Sequence, residues 1–228
     1  LANKVKVTIK WIDSELIEHE NTDVKNIFKD INGIIVPGGF GKRGSEGKIN
    51  AIKFARLNNI PFFGICFGMQ MAVLEFARNV LKLDNATSSE FGKNHLSLIG
   101  LLTEWQTKTG LEKRNKNSNL GGTMRLGAYD CKLIENSFVK SIYKKNTISE
   151  RHRHRYEVNN KFNLEFKNNG LTFSGMSPNN LLPEILEISS HPWFIGVQFH
   201  PELKSKPFDP HPLFSSFINA SLKQSRLL

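Results

Sequence analysis

The chain has 228 residues, of which 39% are hydrophobic, and 31 Lys+Arg against 21 Asp+Glu give a formal net charge of +10. This suits a large α/β domain with a sizeable core and excludes collagen-like, mucin-like and fully disordered chains. Two cysteines are too few for a disulfide scaffold and fit a reducing compartment, the cytoplasm. The charge comes from 22 Lys and 9 Arg scattered among 23 Asn, as in Asn115-Lys116-Asn117, which reads as solvated surface and predicts no nucleic-acid partner.

In chain order, residues 4–12 alternate Val5, Val7 and Ile9 with polar residues and predict a strand, not a signal peptide. A short helix is expected over 23–29 and a buried strand over 33–36, ended by Pro37-Gly38-Gly39. Ile49, Ile52, Phe54, Ala55 and Leu57 mark a helix over 47–58. A strand over 61–65 and a helix over 69–80 follow. Pro61, Gln70 and Glu75 make this apolar stretch a buried strand and helix, with no membrane span predicted. Such alternation predicts βαβ units and a parallel sheet. Further strands are expected over 96–103, 125–133, 171–174, 184–189 and 194–199, a polar loop over 115–122 and a closing helix over 211–223. Without a repeat or long linker, residues 1–228 read as one domain.

Gly64-Ile65-Cys66-Phe67-Gly68 joins a strand to a helix in a G-x-nucleophile-x-G pattern. The glycines remove Cβ atoms where the turn is sharpest, so the pattern predicts a strained backbone and an exposed central side chain. The N-terminal helix dipole and free N–H groups favour a reactive thiolate and can receive an oxyanion. The competing reading is a buried core cysteine. Cys131, in an alternating strand with no helix after it, reads as core packing.

A thiol nucleophile needs a base. In Gly196-Val197-Gln198-Phe199-His200-Pro201-Glu202, His200 ends a short apolar strand and Glu202 stands two residues on. Residues two apart in extended chain share a face, so Glu202 can hold one ring nitrogen and leave the other for Cys66. The alternative is a strand-end histidine beside a solvated carboxylate. Pro37-Gly38-Gly39-Phe40-Gly41 lacks the spacing of a phosphate loop, so an oxyanion N–H donor is the better reading. Over 150–159, Arg151, Arg153 and Arg155 alternate with His152 and His154. As a strand, this puts arginines on one face, for carboxylate or phosphate capture or as the charged guard of a sheet edge. No Cys or Asp with ligand spacing accompanies the histidines, so no metal site is predicted.

Together, Gly-Ile-Cys-Phe-Gly-Met-Gln at 64–70 and Phe-His-Pro-Glu at 199–202 resemble the class I (triad) glutamine amidotransferase domain. The runs 37–48, 120–127 and 150–159 resemble the variant fused to a synthetase domain that aminates UTP to CTP. The resemblance implies a flavodoxin-like α/β fold, a mostly parallel sheet flanked by helices with a small additional antiparallel sheet. It implies Cys66 as nucleophile, His200 as acid and base, and Glu202 as its orienter. Gly39 and Phe67 would supply oxyanion N–H groups and, with Gln70, Glu90 and Arg155, bind L-glutamine. Glu90 would take its ammonium and Arg155 its carboxylate. The glutaminase step would need no cofactor. ATP, Mg and UTP would belong to a synthetase domain absent from this chain, in a homotetramer. GTP would activate, near Phe40, Arg43, Glu46, Gly121 and Gly122. The resemblance also implies a strand and helix before Lys4 that the chain starts after. The alternatives are a γ-glutamyl peptidase and a non-catalytic basic or inactive module.

Overall fold

The computed structural model describes residues 2–19, 22–92, 96–101 and 124–226. The helices are α1 (Val24–Ile27), α2 (Ser45–Leu57), α3 (Phe67–Asn79), α4 (Phe138–Tyr143), α5 (Asn163–Asn168) and α6 (Pro212–Ser225). The strands are β1 (Ile34–Val36), β2 (Phe62–Ile65), β3 (Ala86–Ser88), β4 (Leu96–Leu101), β5 (Arg125–Leu133) and β6 (Thr147–His154). They continue with β7 (Tyr156–Val158), β8 (Leu171–Met176), β9 (Pro183–Ile188) and β10 (Phe194–Val197).

Seven strands form one sheet in the order β1-β2-β10-β9-β8-β5-β6. β2 runs parallel to both β1 and β10, and the remaining pairings are antiparallel. β3, β4 and β7 form a second, small sheet, β3 parallel and β7 antiparallel to β4. The α/β class, the helix-flanked sheet and the small second sheet are as expected. The large sheet, however, is mixed rather than mostly parallel, and the small one is mixed rather than antiparallel. Short connections such as the one from β9 to β10 allow only antiparallel pairing.

Side chains of β2 alternate between two cores. Phe62 joins Val36, Phe194 and the apolar faces of α2 and α3, while Phe63 and Ile65 join Trp193, Val197, Val139 of α4 and Leu213 and Phe217 of α6. Burying one such phenylalanine contributes about 1.5–3 kcal/mol, so both faces pin the register of β2 and the position of its carboxyl end.

The predicted strand over 4–12 does not form. Val7, Ile9 and Trp11 are exposed, and no described strand pairs with the segment. Alternation alone does not make a strand, because its backbone groups need a neighbouring ladder. The helix over 23–29 is the single turn α1. Residues 102–103 of one predicted strand and the loop over 115–122 lie outside the described residues. Sequence periodicity gave no sign of α4. Its N-terminus is completed by Ser137, which accepts from Lys140 N, and by the distant Glu187 carboxylate, which accepts from the N–H groups of Phe138 and Val139.

Gly68, in the first turn of α3, lets that helix touch β1. A Cβ there would lie 2.1 Å from the Val36 carbonyl oxygen, a backbone atom that cannot swing away. Gly68→Ala is therefore expected to cost at least about 1–3 kcal/mol of stability, read as a lower urea midpoint. An unchanged midpoint would contradict this packing.

Candidate active site

The parallel strands β1, β2 and β10 bring their carboxyl ends to one edge of the sheet, the usual ligand position in α/β folds. Cys66 lies between β2 and α3 with φ 52° and ψ −101°. A non-glycine residue held there stores about 1–3 kcal/mol of strain. The turn is fastened by the Cys66 N–H, which donates to the Val197 carbonyl at 2.7 Å. The predicted strain is thus present, but the predicted exposure is not, since Cys66 is only 5% exposed. The loop after β1 and the segment after β10 cover it. A Cβ at Gly38 would lie 2.8 Å from His200 Cε1 and 3.7 Å from Cys66 Cβ, so this glycine lets ring and cysteine approach.

The backbone of His200 donates to the Arg151 carbonyl at 2.8 Å, and its Nδ1 lies 2.6 Å from Glu202 Oε1. Glu202 thus holds one ring nitrogen of His200. Nε2 is buried and makes no hydrogen bond of full geometry. Yet the nearby Cys66 is the largest influence raising the His200 pKa to about 10, followed by Glu202 and opposed by burial. Sulfur and imidazole thus stand in close electrostatic contact that has not tightened into a formed bond, as catalytic pairs do before substrate binds. Burial alone would raise the Glu202 pKa. Its bond to His200 and the ring's charge outweigh this and hold it below the ordinary value.

The predicted oxyanion donors flank this cluster. Phe67 opens α3, where backbone N–H groups have no intrahelical acceptor, and Gly39 lies against its ring. Glu90 stands in the short turn after β3 and accepts from the Gly41 N–H at 2.8 Å, tying that turn to the glycine loop. Burial raises its pKa, partly offset by this N–H. The pairing of β4 with β3 and β7 sets the end of β3 and the start of β7 at one end of the small sheet. Glu90, just past β3, and Arg155, just before β7, therefore share that end. Gln70 in α3 donates through Nε2 to the Tyr156 carbonyl at 3.1 Å and to Gln198 Oε1 at 3.2 Å. Gln198 Nε2 in turn lies 3.7 Å from Cys66 Sγ. Sequence reasoning singled out neither Gln198 nor Gly38. The two-residue spacing of Gln198 from His200 was the available signal, since it puts both on one face of an extended chain.

Other expected residues are exposed or paired elsewhere than with Cys66, His200 or Glu202. Phe40 is 88% exposed, Arg43 pairs with Glu15 at 2.5 Å, and Glu46 makes a two-pronged bond to Arg78 at 2.9 and 3.0 Å. Gly121 and Gly122 lie outside the described residues. β6 lies at an edge of the large sheet with Arg151 and Arg153 exposed and His152 and His154 buried. His152 Nδ1 lies 2.8 Å from His154 Nε2, and burial pushes their pKa values down to about 2 and about 3. Beside them Arg125 bridges Glu184 and Glu157. Burial pushes Glu157 up to about 8 against the pull of Arg125, since one guanidinium does not neutralise two buried carboxylates. Cys131 is fully buried as core, and burial raises its thiol pKa. Among the described residues no group of His, Cys, Asp and Glu could hold a metal, and no helix is long and apolar enough to cross a membrane.

A strained cysteine at a strand–helix junction, facing a carboxylate-oriented histidine, defines a cysteine-nucleophile enzyme. Comparison with known proteins narrows the class. Residues 1–220 match the family model "Glutamine amidotransferase class-I". The chain is 60% identical over 228 residues to CTP synthase of Sphingopyxis alaskensis, and 61% over 219 residues to that of Pelagibacter ubique. These matches cover 100% and 96% of this chain but only 42% and 40% of those proteins. Among solved structures, the glutaminase domain of Trypanosoma brucei CTPS with bound acivicin superposes with a TM-score of 0.88 at 40% identity. That match covers 97% of this chain and 83% of the other. The chain belongs to the class-I glutamine amidotransferase family and, within it, groups with the glutaminase domains of the CTP synthase type.

Glu202→Gln is expected to lower the His200 pKa from about 10, because it removes the second of the groups that raise it. Because the folded value lies above the ordinary 6.5, His200 stabilises the fold fully below about pH 6.5 and loses that contribution as pH rises through about 10. NMR titration of the ring in wild type and variant measures the shift, and coincident curves would contradict it.

Proposed function

We propose that this chain hydrolyses L-glutamine to glutamate and ammonia through a Cys66 γ-glutamyl thioester. The observation that carries this reading is Cys66 in strained backbone beside an imidazole that Glu202 holds at 2.6 Å. The family relationship supplies the substrate class.

Glutamine enters with its ammonium toward Glu90 and its carboxylate toward Arg155. Gln70 offers its side-chain oxygen, since its Nε2 already donates to Tyr156 and Gln198. The Cys66 thiolate attacks the side-chain amide carbon, a C–S bond forms, and the electron pair moves to oxygen. The Gly39 and Phe67 N–H groups receive that oxyanion. With its pKa raised to about 10, His200 carries a proton at neutral pH and gives it to the departing nitrogen. The C–N bond breaks, ammonia leaves and the thioester remains. Acylation ties up the sulfur and so removes the Cys66 interactions that raise the His200 pKa. The neutral ring then takes a proton from water, which attacks the thioester and releases glutamate. No step calls on a cofactor. All three triad members are present, which favours catalysis over an inactive module.

The chain spans about two fifths of the curated relatives it matches. We infer that its ammonia passes to a synthetase domain that uses ATP and Mg to aminate UTP to CTP in the cytoplasm, within a homotetramer. GTP would activate it near Phe40, Arg43, Glu46 and the Gly121-Gly122 loop.

Cys66→Ala is expected to abolish ammonia release from glutamine while leaving the circular dichroism melt intact. Release at the wild-type rate would refute the nucleophile. Arg155→Ala is expected to raise KM for glutamine about tenfold with a smaller change in kcat, because it removes a charge-assisted contact to bound substrate. An unchanged KM would refute carboxylate capture.

A further inference from the structure

We propose that Gln198 is a further catalytic residue, whose side-chain N–H donates to the Cys66 sulfur and stabilises it as thiolate. This rests on the reading of Cys66 as nucleophile. Gln198 is fully buried, two residues before His200, and its Nε2 lies 3.7 Å from Cys66 Sγ.

A side-chain amide has two ends that exchange by a flip, so the direction of this contact needs an anchor. The backbone supplies one. The Tyr156 carbonyl only accepts, so the nitrogen of Gln70, 3.1 Å away, faces it. That same nitrogen lies 3.2 Å from the Gln198 amide, and its remaining hydrogen requires an oxygen there. The oxygen of Gln198 therefore faces Gln70, and its NH₂ group faces the sulfur. The polarity runs from a fixed carbonyl through two buried amides to the reacting atom.

The chemistry follows from that polarity. An N–H aimed at sulfur attracts a thiolate far more than a neutral thiol. Gln198 stands just past β10, the strand whose Val197 carbonyl fastens the Cys66 turn, and His200 stands two residues further along. The sulfur thus has one donor in place, Gln198, with the His200 ring nearby and not yet bonded to it. His200 gives its proton to the departing nitrogen, while Gln198 keeps its N–H and stays. When the C–S bond of the thioester breaks, the amide holds the charge on sulfur beside the imidazolium formed as His200 took the proton from water.

The test compares the 228-residue chain with Gln198→Met, which keeps the length and removes the donor, and Gln198→Asn, which withdraws it by one methylene. Iodoacetamide alkylation of Cys66 at pH 7 needs no glutamine, so it separates this proposal from the assigned substrate. Alkylation and kcat are each expected to fall about tenfold in Gln198→Met, and less in Gln198→Asn, with KM unchanged, as for loss of a charge-assisted hydrogen bond. Wild-type alkylation rates in a folded variant would overturn the proposal. So would a raised KM with unchanged kcat, which would make Gln198 a substrate contact. A third measurement needs no substitution. In the wild-type chain, the Gln198 side-chain amide resonances are expected to move on alkylation of Cys66, and resonances that stay in place would overturn the proposal.

Discussion

The left-handed backbone at Cys66 is the constraint on which the site depends. A cysteine does not rest at φ 52° unless both flanks are held. One flank is β2, buried on both faces and clamped between β1 and β10. The other is α3, seated against Val36 because Gly68 has no Cβ. The Val197 carbonyl fastens the turn between them. Strand pairing, helix packing and glycine placement thus converge on one torsion angle, which sets the buried thiol at the ends of the parallel strands, beside Gln198.

The same edge of the sheet manages the proton. Cys66 is the largest influence raising the basicity of His200, and Glu202, which bonds its Nδ1, is the second. Under the proposed function one histidine would serve as acid before acylation and as base after it, because the Cys66 interactions that raise its pKa end when the thioester forms. Under that function the small sheet would add the other requirement, a place for both ends of a free amino acid. It sets Glu90 and Arg155 at one end although they are far apart in sequence. The buried Arg125, Glu157, Glu184 and histidine cluster backs the sheet near His200, whose charge acts on both His152 and His154.

What the sequence disclosed was what local backbone determines. The glycines bracketing Cys66 announce a sharp turn, and the two-residue step from His200 to Glu202 announces a shared face. Strand β6 shows its arginine and histidine faces directly in its alternation. What the sequence concealed depends on partners distant along the chain. Residues 4–12 alternate like a strand but find no pairing neighbour among the described residues. Helix α4 is completed by the Glu187 carboxylate, which its own sequence does not reveal. Cys66 is covered by loops from two other strands, so the pattern that foretold its strain did not foretell its burial. The orientation of Gln198 rests on the Tyr156 carbonyl, acting through Gln70.

The central claim is that this architecture activates one sulfur and leaves the other inert. Treating the chain with 6-diazo-5-oxo-L-norleucine, a glutamine-like electrophile, and mapping the modified peptide by mass spectrometry tests it most directly. The account predicts one adduct per chain, on Cys66, with Cys131 untouched. An adduct on Cys131, or a folded chain whose Cys66 stays unmodified, would contradict it.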